Sequence, residues 1–169
     1  MEYTKQYIAG FFDGEGSIGV YSRNKKGYHL RTQLTQNKGN EIKQLMEHLL
    51  FKYGGNLSEQ ATLSKRIKYN WQLNADKAVF FLEEISPFLI LKKKQADVAI
   101  WWQKQRPIRF RNKKGQIVLK EKADVVLDEN VSKIIKALKT KDIDEVIENS
   151  KELVKIEHTL KQILNVKGD

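Results

Sequence analysis

Between residues 17 and 73 the hydrophobic pattern changes period repeatedly, and this restricts the chain to few folds. Over residues 17–23, Ile18 and Val20 alternate with Gly19, Tyr21 and Arg23. Asn24-Lys25-Lys26-Gly27 is a turn signal. Residues 28–36 then alternate again, with Leu30, Thr32 and Leu34 against His29, Arg31 and Gln33. Period two over such lengths marks strands with one covered face. Residues 40–53 switch to helical spacing, with Ile42, Leu45, Met46, Leu49 and Leu50 on one stripe, and Gly54-Gly55 ends the helix. A second hairpin follows over residues 56–60 and 66–73, where Ile67, Tyr69, Trp71 and Leu73 alternate with Arg66, Lys68, Asn70 and Gln72.

Helical segments flank these hairpins. Residues 4–13 read as a short helix running into a glycine-rich turn, Gly14-Glu15-Gly16. Asn74 is the expected N-cap of a helix that ends before Pro87, and residues 92–105 form another that Pro107 stops. Each hairpin has an oily face that helices must cover, so the fold class is α+β. Residues 108–119 read as a small third hairpin around Asn112-Lys113-Lys114-Gly115. The tail, about 124–166, reads as amphipathic helix, with Asp142 and Glu145 spaced like a capping box.

Charge narrows the function classes. The net charge is +10, and residues 92–122 alone carry 11 Lys/Arg against 2 Asp/Glu. So concentrated a basic block fits a polyanion, most simply nucleic acid. The chain has no cysteine, which excludes disulfides, thiolate zinc sites and cysteine nucleophiles. Its three histidines are far apart, so a metal would be a hard ion on oxygen ligands. Neither a secretion signal nor a membrane-spanning run is evident, and the expectation is an intracellular protein of a prokaryotic cytoplasm or an organelle, with no membrane partner and no small-molecule substrate.

The most specific stretch is Tyr7-Ile8-Ala9-Gly10-Phe11-Phe12-Asp13-Gly14-Glu15-Gly16-Ser17. Gly10 and Gly14 lie four apart on one helix face, where missing side chains let two backbones approach closely. Glu15 at the helix end opposes the negative end of the helix dipole, at a cost of ~0.3–1 kcal/mol. A symmetry-related copy would add like-charge repulsion, which a divalent cation relieves. Ile8 to Gly16 resembles the nine-residue LAGLIDADG motif of the homing endonucleases, in its single-motif form. Pro87-Phe88-Leu89-Ile90-Leu91-Lys92-Lys93-Lys94-Gln95-Ala96 is similar to that family's PFLxxKxxQA segment.

The resemblance implies an αββαββα core over residues 1–105, with a curved antiparallel four-stranded DNA-binding sheet. A basic hairpin or loop (106–122) and a C-terminal helical segment packed on the core (123–169) would follow. It implies an intron- or intein-homing double-strand DNA endonuclease, a homodimer on a long pseudo-palindromic target. Its cofactor would be Mg²⁺, with Mn²⁺ or another divalent ion as substitute and Ca²⁺ supporting binding only. Glu15 and the Gly14 carbonyl would bind metal. Glu15, Gln36 (after Thr35) and Lys92 would be catalytic, with Lys38 a weak second base. Asp13 would tie the helix end to its surroundings. Ile8, Gly10, Phe11 and Gly14 would form the dimer interface. The alternative is a non-catalytic binder of the same fold, an RNA maturase.

The polar strand faces would then read the major groove, which admits a two-stranded ribbon. They contribute Tyr21, Arg23, Lys25, His29, Arg31 and Gln33 from the first hairpin, and Ser58, Gln60, Arg66, Lys68, Asn70 and Gln72 from the second. Lys94, Arg109, Arg111 and Lys113 would extend the contact from the basic block. Trp101 and Trp102 read as core.

Overall fold

The structure, a computed structural model, describes residues 2–22, 27–61, 66–105 and 122–139, with the side chains of 122–126 excepted. The elements are α1 (Lys5–Glu15), β1 (Gly16–Ser22), β2 (Tyr28–Asn37), α2 (Asn40–Tyr53), β3 (Asn56–Ala61), β4 (Ile67–Asn74), α3 (Ala75–Ile85), a 3₁₀ turn (Ser86–Phe88), α4 (Lys93–Gln105) and α5 (Lys122–Ala137). The helix-hairpin-helix-hairpin-helix order agrees with the sequence expectation.

The four strands form one antiparallel sheet in the order β1-β2-β4-β3. The hairpins therefore join through their second strands, Leu34 opposite Trp71 and Thr32 opposite Leu73. One face is the core: Ile18, Val20, Leu30, Leu34, Tyr69, Trp71 and Leu73 are buried against Phe12, Met46, Leu49, Phe81, Leu82 and Trp102. Trp71 anchors it, its ring edge-on to Phe81 and its indole N–H donating to the Gly54 carbonyl at 2.9 Å. The glycine pair that ends α2 is required there. Gly54 and Gly55 have φ of 70° and 95°, and a Cβ on Gly55 would stand 2.4 Å from the Gln72 carbonyl oxygen.

Three local expectations are corrected. Gly14-Glu15 is not a turn: α1 continues through both residues and passes directly into β1. The Gly16 N–H closes the last helical turn on the Phe12 carbonyl, and the Phe12 ring lies where a Gly16 side chain would project. Asn74 occupies the N-cap position of α3 but makes no capping bond; its Oδ1 accepts from Gln72 Nε2 at 3.3 Å. Lys92 precedes α4 rather than opening it.

The described part of α5 adds to the core from beyond the αββαββα unit. Val131, Ile134 and Ile135 are buried, Ser132 Oγ donates to the Val20 carbonyl at 2.6 Å, and Trp102 Nε1 donates to Asp128 Oδ1 at 3.0 Å. The expected hairpin at 108–119 and the tail beyond residue 139, with its capping box, lie outside the described residues. No helix among the described residues is long and apolar enough to cross a membrane.

Candidate functional site

Thr4 starts α1 by accepting the Tyr7 N–H on its hydroxyl at 3.2 Å. Helical spacing then sorts the motif into two faces. Ile8, Ala9, Phe12 and Asp13 turn inward and are buried. Tyr7, Gly10 and Gly14 stay outward, with Phe11 partly covered. Ile8, expected at the interface, is 2% exposed, its side chain packed in the protomer core. Among the described residues no atom lies within 4 Å of where a Cβ on Gly10 or Gly14 would stand, so none of them requires glycine at either position. Tyr3, Tyr7 and Phe11 stack along the same helix at ring-centroid separations of 5.5 and 6.3 Å.

At the C-terminal end of α1, Asp13 holds the segment before α4. Its Oδ2 accepts the N–H of Ile90 at 2.6 Å and of Leu91 at 3.2 Å, and its Oδ1 accepts the N–H of Lys92 at 2.9 Å. The expected tying role of Asp13 has this concrete form. In return, the Lys92 ammonium donates to the Asp13 main-chain carbonyl. Burial lowers the Lys92 pKa; the Asp13 charge opposes this, Lys139 adds to it, and the Glu15 charge opposes it. Lys92 therefore stands within electrostatic reach of Glu15, the exposed last residue of the helix. The loop gripped by Asp13 also exposes apolar side chains that sequence reasoning missed, Ile90 at 84% and Leu91 at 73%. Their signal was two apolar residues in a row just outside any helical stripe.

Gln36 shares the sheet face of Leu34, at the end of β2, and its Oε1 accepts the Asn37 N–H at 2.8 Å. Lys38 is engaged elsewhere, its ammonium held by both Glu59 carboxylate oxygens at 3.0 and 3.1 Å. As donors to a cation, the Glu15 carboxylate and the Gly14 carbonyl are hard oxygens suited to Mg²⁺. They are two per chain, and among the described residues no three His, Asp or Glu side chains gather as a metal cluster.

The sheet face away from the core is polar over its whole width. Cross-strand register aligns Ser17 with Gln33, Gln72 and Asn56; Thr35 with Asn70 and Ser58; and Asn37 with Lys68 and Gln60. Tyr21 opposes His29, and its ring covers Gly19. The Arg31 guanidinium lies 5.2 Å from the Tyr21 ring centroid, and its Nη2 is 3.3 Å from His29 Nε2. Sequence reasoning put Tyr21, His29, Arg31, Gln33, Ser58, Gln60, Lys68 and Gln72 on this face, and the structure brings them together there, with Arg66 just before β4. It missed Ser17, Thr35, Asn37 and Asn56, which carry no charge and lie near strand ends or turns. One reader needs correcting: Asn70 is only 6% exposed, its Oδ1 taken by the Thr35 hydroxyl at 3.1 Å, which leaves it little surface to offer a base. Lys94 is exposed on α4, while Arg23, Lys25, Arg109, Arg111 and Lys113 lie outside the described residues.

Comparison with known proteins gives a consistent picture. A family model described as LAGLIDADG endonuclease matches residues 8–105. No curated protein matches the chain. Among solved structures, the homing endonuclease I-CvuI, in complex with a DNA target, superimposes with a TM-score of 0.59 at 16% identity, over 88% of this chain and 93% of that one. The LAGLIDADG homing endonuclease I-GzeII, in complex with its DNA target, gives 0.54 at 13% identity. I-SmaMI, bound to uncleaved DNA with calcium ions, gives 0.51 at 18%. Each of these two is matched over 88% of this chain and 49% of its own length. At such identities the likeness is one of fold.

Proposed function

The chain belongs to the LAGLIDADG endonuclease family, and we propose that it is a homodimeric, divalent-metal-dependent endonuclease that cuts both strands of a long, near-palindromic DNA site. One observation carries this reading: Asp13 fixes Lys92 at the C-terminal end of the helix that closes on Glu15, and the outer side of that helix is bare glycine at positions 10 and 14. Pairing two such helices about a two-fold axis brings both Glu15 carboxylates, and both Lys92 ammonium groups, to one place.

The pairing answers two features that a lone protomer leaves without a reason. Gly10 and Gly14 lower helix propensity by about 1 kcal/mol each relative to alanine, with no packing return among the described residues. Glu15 is also a lone carboxylate at its helix end, and pairing would set a second one beside it for a divalent cation to bridge or neutralise. The chain also spans nearly all of I-CvuI but half of I-GzeII and I-SmaMI, in keeping with a subunit that works in pairs.

Glu15 and the Gly14 carbonyl would hold the metal, whose bound form supplies a water of lowered pKa and neutralises charge on the scissile phosphate. Lys92, fixed by Asp13, offers its remaining ammonium protons to phosphate oxygens. Gln36 offers an amide to position water. The polar sheet face lies in the major groove, where arginine suits guanine, and glutamine or asparagine suits adenine. I-CvuI with magnesium and with calcium, both in complex with DNA targets, provides the analogy for the metal.

The test is incubation of the full chain with a plasmid pool carrying randomised inserts, first in Mg²⁺ and then in Ca²⁺. Linearised plasmid in the first and binding alone in the second are expected. Binding in both with cutting in neither would select the non-catalytic binder.

A further inference from the structure

The polar sheet face contains a three-residue hydrogen-bond relay that neither the family nor the polarity of the strands assigns. Gln33 Nε2 donates to Thr35 Oγ1 at 3.0 Å, and Thr35 Oγ1 donates to Asn70 Oδ1 at 3.1 Å. Gln33 and Thr35 are two apart on β2, and Asn70 is the direct cross-strand partner of Thr35. Asn70 is 6% exposed, between Thr35 on one side and Ser58 on the other, and its Oδ1 takes the Thr35 hydroxyl.

A hydroxyl has one proton to give. Because Thr35 gives its proton to the buried Asn70 oxygen, it can only accept from Gln33. Gln33 must therefore turn an N–H inward and leave its Oε1 and second N–H facing outward. That outward pair, one acceptor and one donor, is the complement of the adenine N6–H and N7. The opposite amide orientation would turn both N–H donors outward and match the two acceptors of guanine.

We propose that Thr35 is a positioning residue for DNA sequence selection: anchored on Asn70, it locks the Gln33 amide in the orientation that reads adenine and rejects guanine. Thr35 itself contacts no base. This inference rests on the DNA-reading role proposed above for the sheet face. It also gives Asn70 a function that its burial permits.

The probe is a randomised double-stranded oligonucleotide pool, selected for binding to the full chain in Ca²⁺ and sequenced. Gln33→Ala identifies the base pair that Gln33 reads. Thr35→Val, which keeps the β-branched shape a strand favours, should reduce the adenine-over-guanine preference at that pair from roughly tenfold to near unity and leave other positions unchanged. Thr35→Ser, which keeps the hydroxyl, should keep the preference. In DNA-free protein, NMR should show slowed solvent exchange of one Gln33 side-chain amide proton, lost in Thr35→Val and kept in Thr35→Ser. If Gln33→Ala alters a base pair but Thr35→Val does not, or if Thr35→Val relaxes all positions equally, the relay is overturned while base reading stands. If Gln33→Ala alters no position, base reading by this face fails, and the relay's role in selection with it.

Discussion

Asp13 and Lys92 are joined in both directions: the carboxylate of Asp13 accepts the Lys92 N–H at 2.9 Å, and the Lys92 ammonium returns to the Asp13 carbonyl. A residue of the first helix thus sets where a residue 79 positions later in the chain stands. The carboxylate takes two further N–H groups from the same loop, those of Ile90 and Leu91, and so ties down the whole approach to α4.

Replacing Asp13 with alanine would leave three part-buried N–H groups without an acceptor. We expect a loss on the order of 3 kcal/mol in chemical denaturation. Asp13→Asn, which keeps one acceptor oxygen, should lose less. Cleavage should fall in both, because Lys92 is no longer held. An unchanged denaturation midpoint in Asp13→Ala would contradict the anchoring role.

The lowered pKa of Lys92 has opposite effects on activity and stability. Cleavage that needs the cation should decline as pH rises through a value below the ordinary 10.5. Folding shifts the other way. Between the lowered folded value and 10.5 the unfolded chain binds more protons, so stability rises with pH across that window. Arginine stays charged, so Lys92→Arg should move the alkaline limb of the cleavage profile upward, while Lys92→Met removes both effects. Parallel pH profiles of cleavage rate and urea midpoint would read this; an alkaline limb that Lys92→Arg leaves in place would assign it to another group.

Glu15→Gln should abolish cleavage and leave DNA binding intact. It should also stabilise the fold by ~0.3–1 kcal/mol, because a carboxylate at the negative end of a helix is unfavourable. A gain in stability with a loss of activity marks a group kept for chemistry. Mg²⁺-dependent cutting retained by Glu15→Gln would remove Glu15 from the catalytic set.

Glu84 stitches three helices, accepting from the Tyr53 hydroxyl at 2.8 Å, with the Lys5 and Lys52 ammonium groups at 3.2 and 3.3 Å. Burial pushes its pKa up, but the bonds from Tyr53, Lys5 and Lys52 outweigh it and hold the carboxyl below the ordinary 4.5. Its contribution is therefore present above 4.5 and lost as pH falls through the depressed value. Glu84→Gln should cost about 1 kcal/mol at neutral pH. The gap from the parent chain should close in acid; a gap that persists there would mean that packing, not charge, is at stake.

The fold was legible in the sequence because its elements announce their period, and the glycines that stop or turn them lie at their ends. What was not legible depends on neighbours from far along the chain. Helical spacing alone could not tell that Ile8 turns inward while Gly10 turns outward, because the motif is apolar nearly all round. Strand parity placed Asn70 among the readers correctly by face, but it is buried, and the cross-strand neighbours Thr35 and Ser58 stand beside it only through the register. The pairing of β2 with β4 left no local trace, since both strands read as half of a hairpin. The junction of α1 and β1 was misread because glycine usually signals a turn, whereas Gly16 serves there to admit the Phe12 ring.

Gly10 gives the sharpest test of pairing, because the protomer and the dimer predict opposite things of it. Among the described residues a Cβ at Gly10 meets no atom within 4 Å, and leucine is the better helix former by roughly 0.5–1 kcal/mol. Gly10→Leu should therefore fold at least as well as the parent chain as a single subunit. In a dimer the same side chain separates the two helices, moves the Glu15 carboxylates apart and abolishes double-strand cutting. Sedimentation velocity should show a monomer with native circular dichroism. A dimer of unchanged mass and cleavage rate would place the contact between subunits on another face, and an unfolded monomer would mean that Gly10 is needed within the protomer.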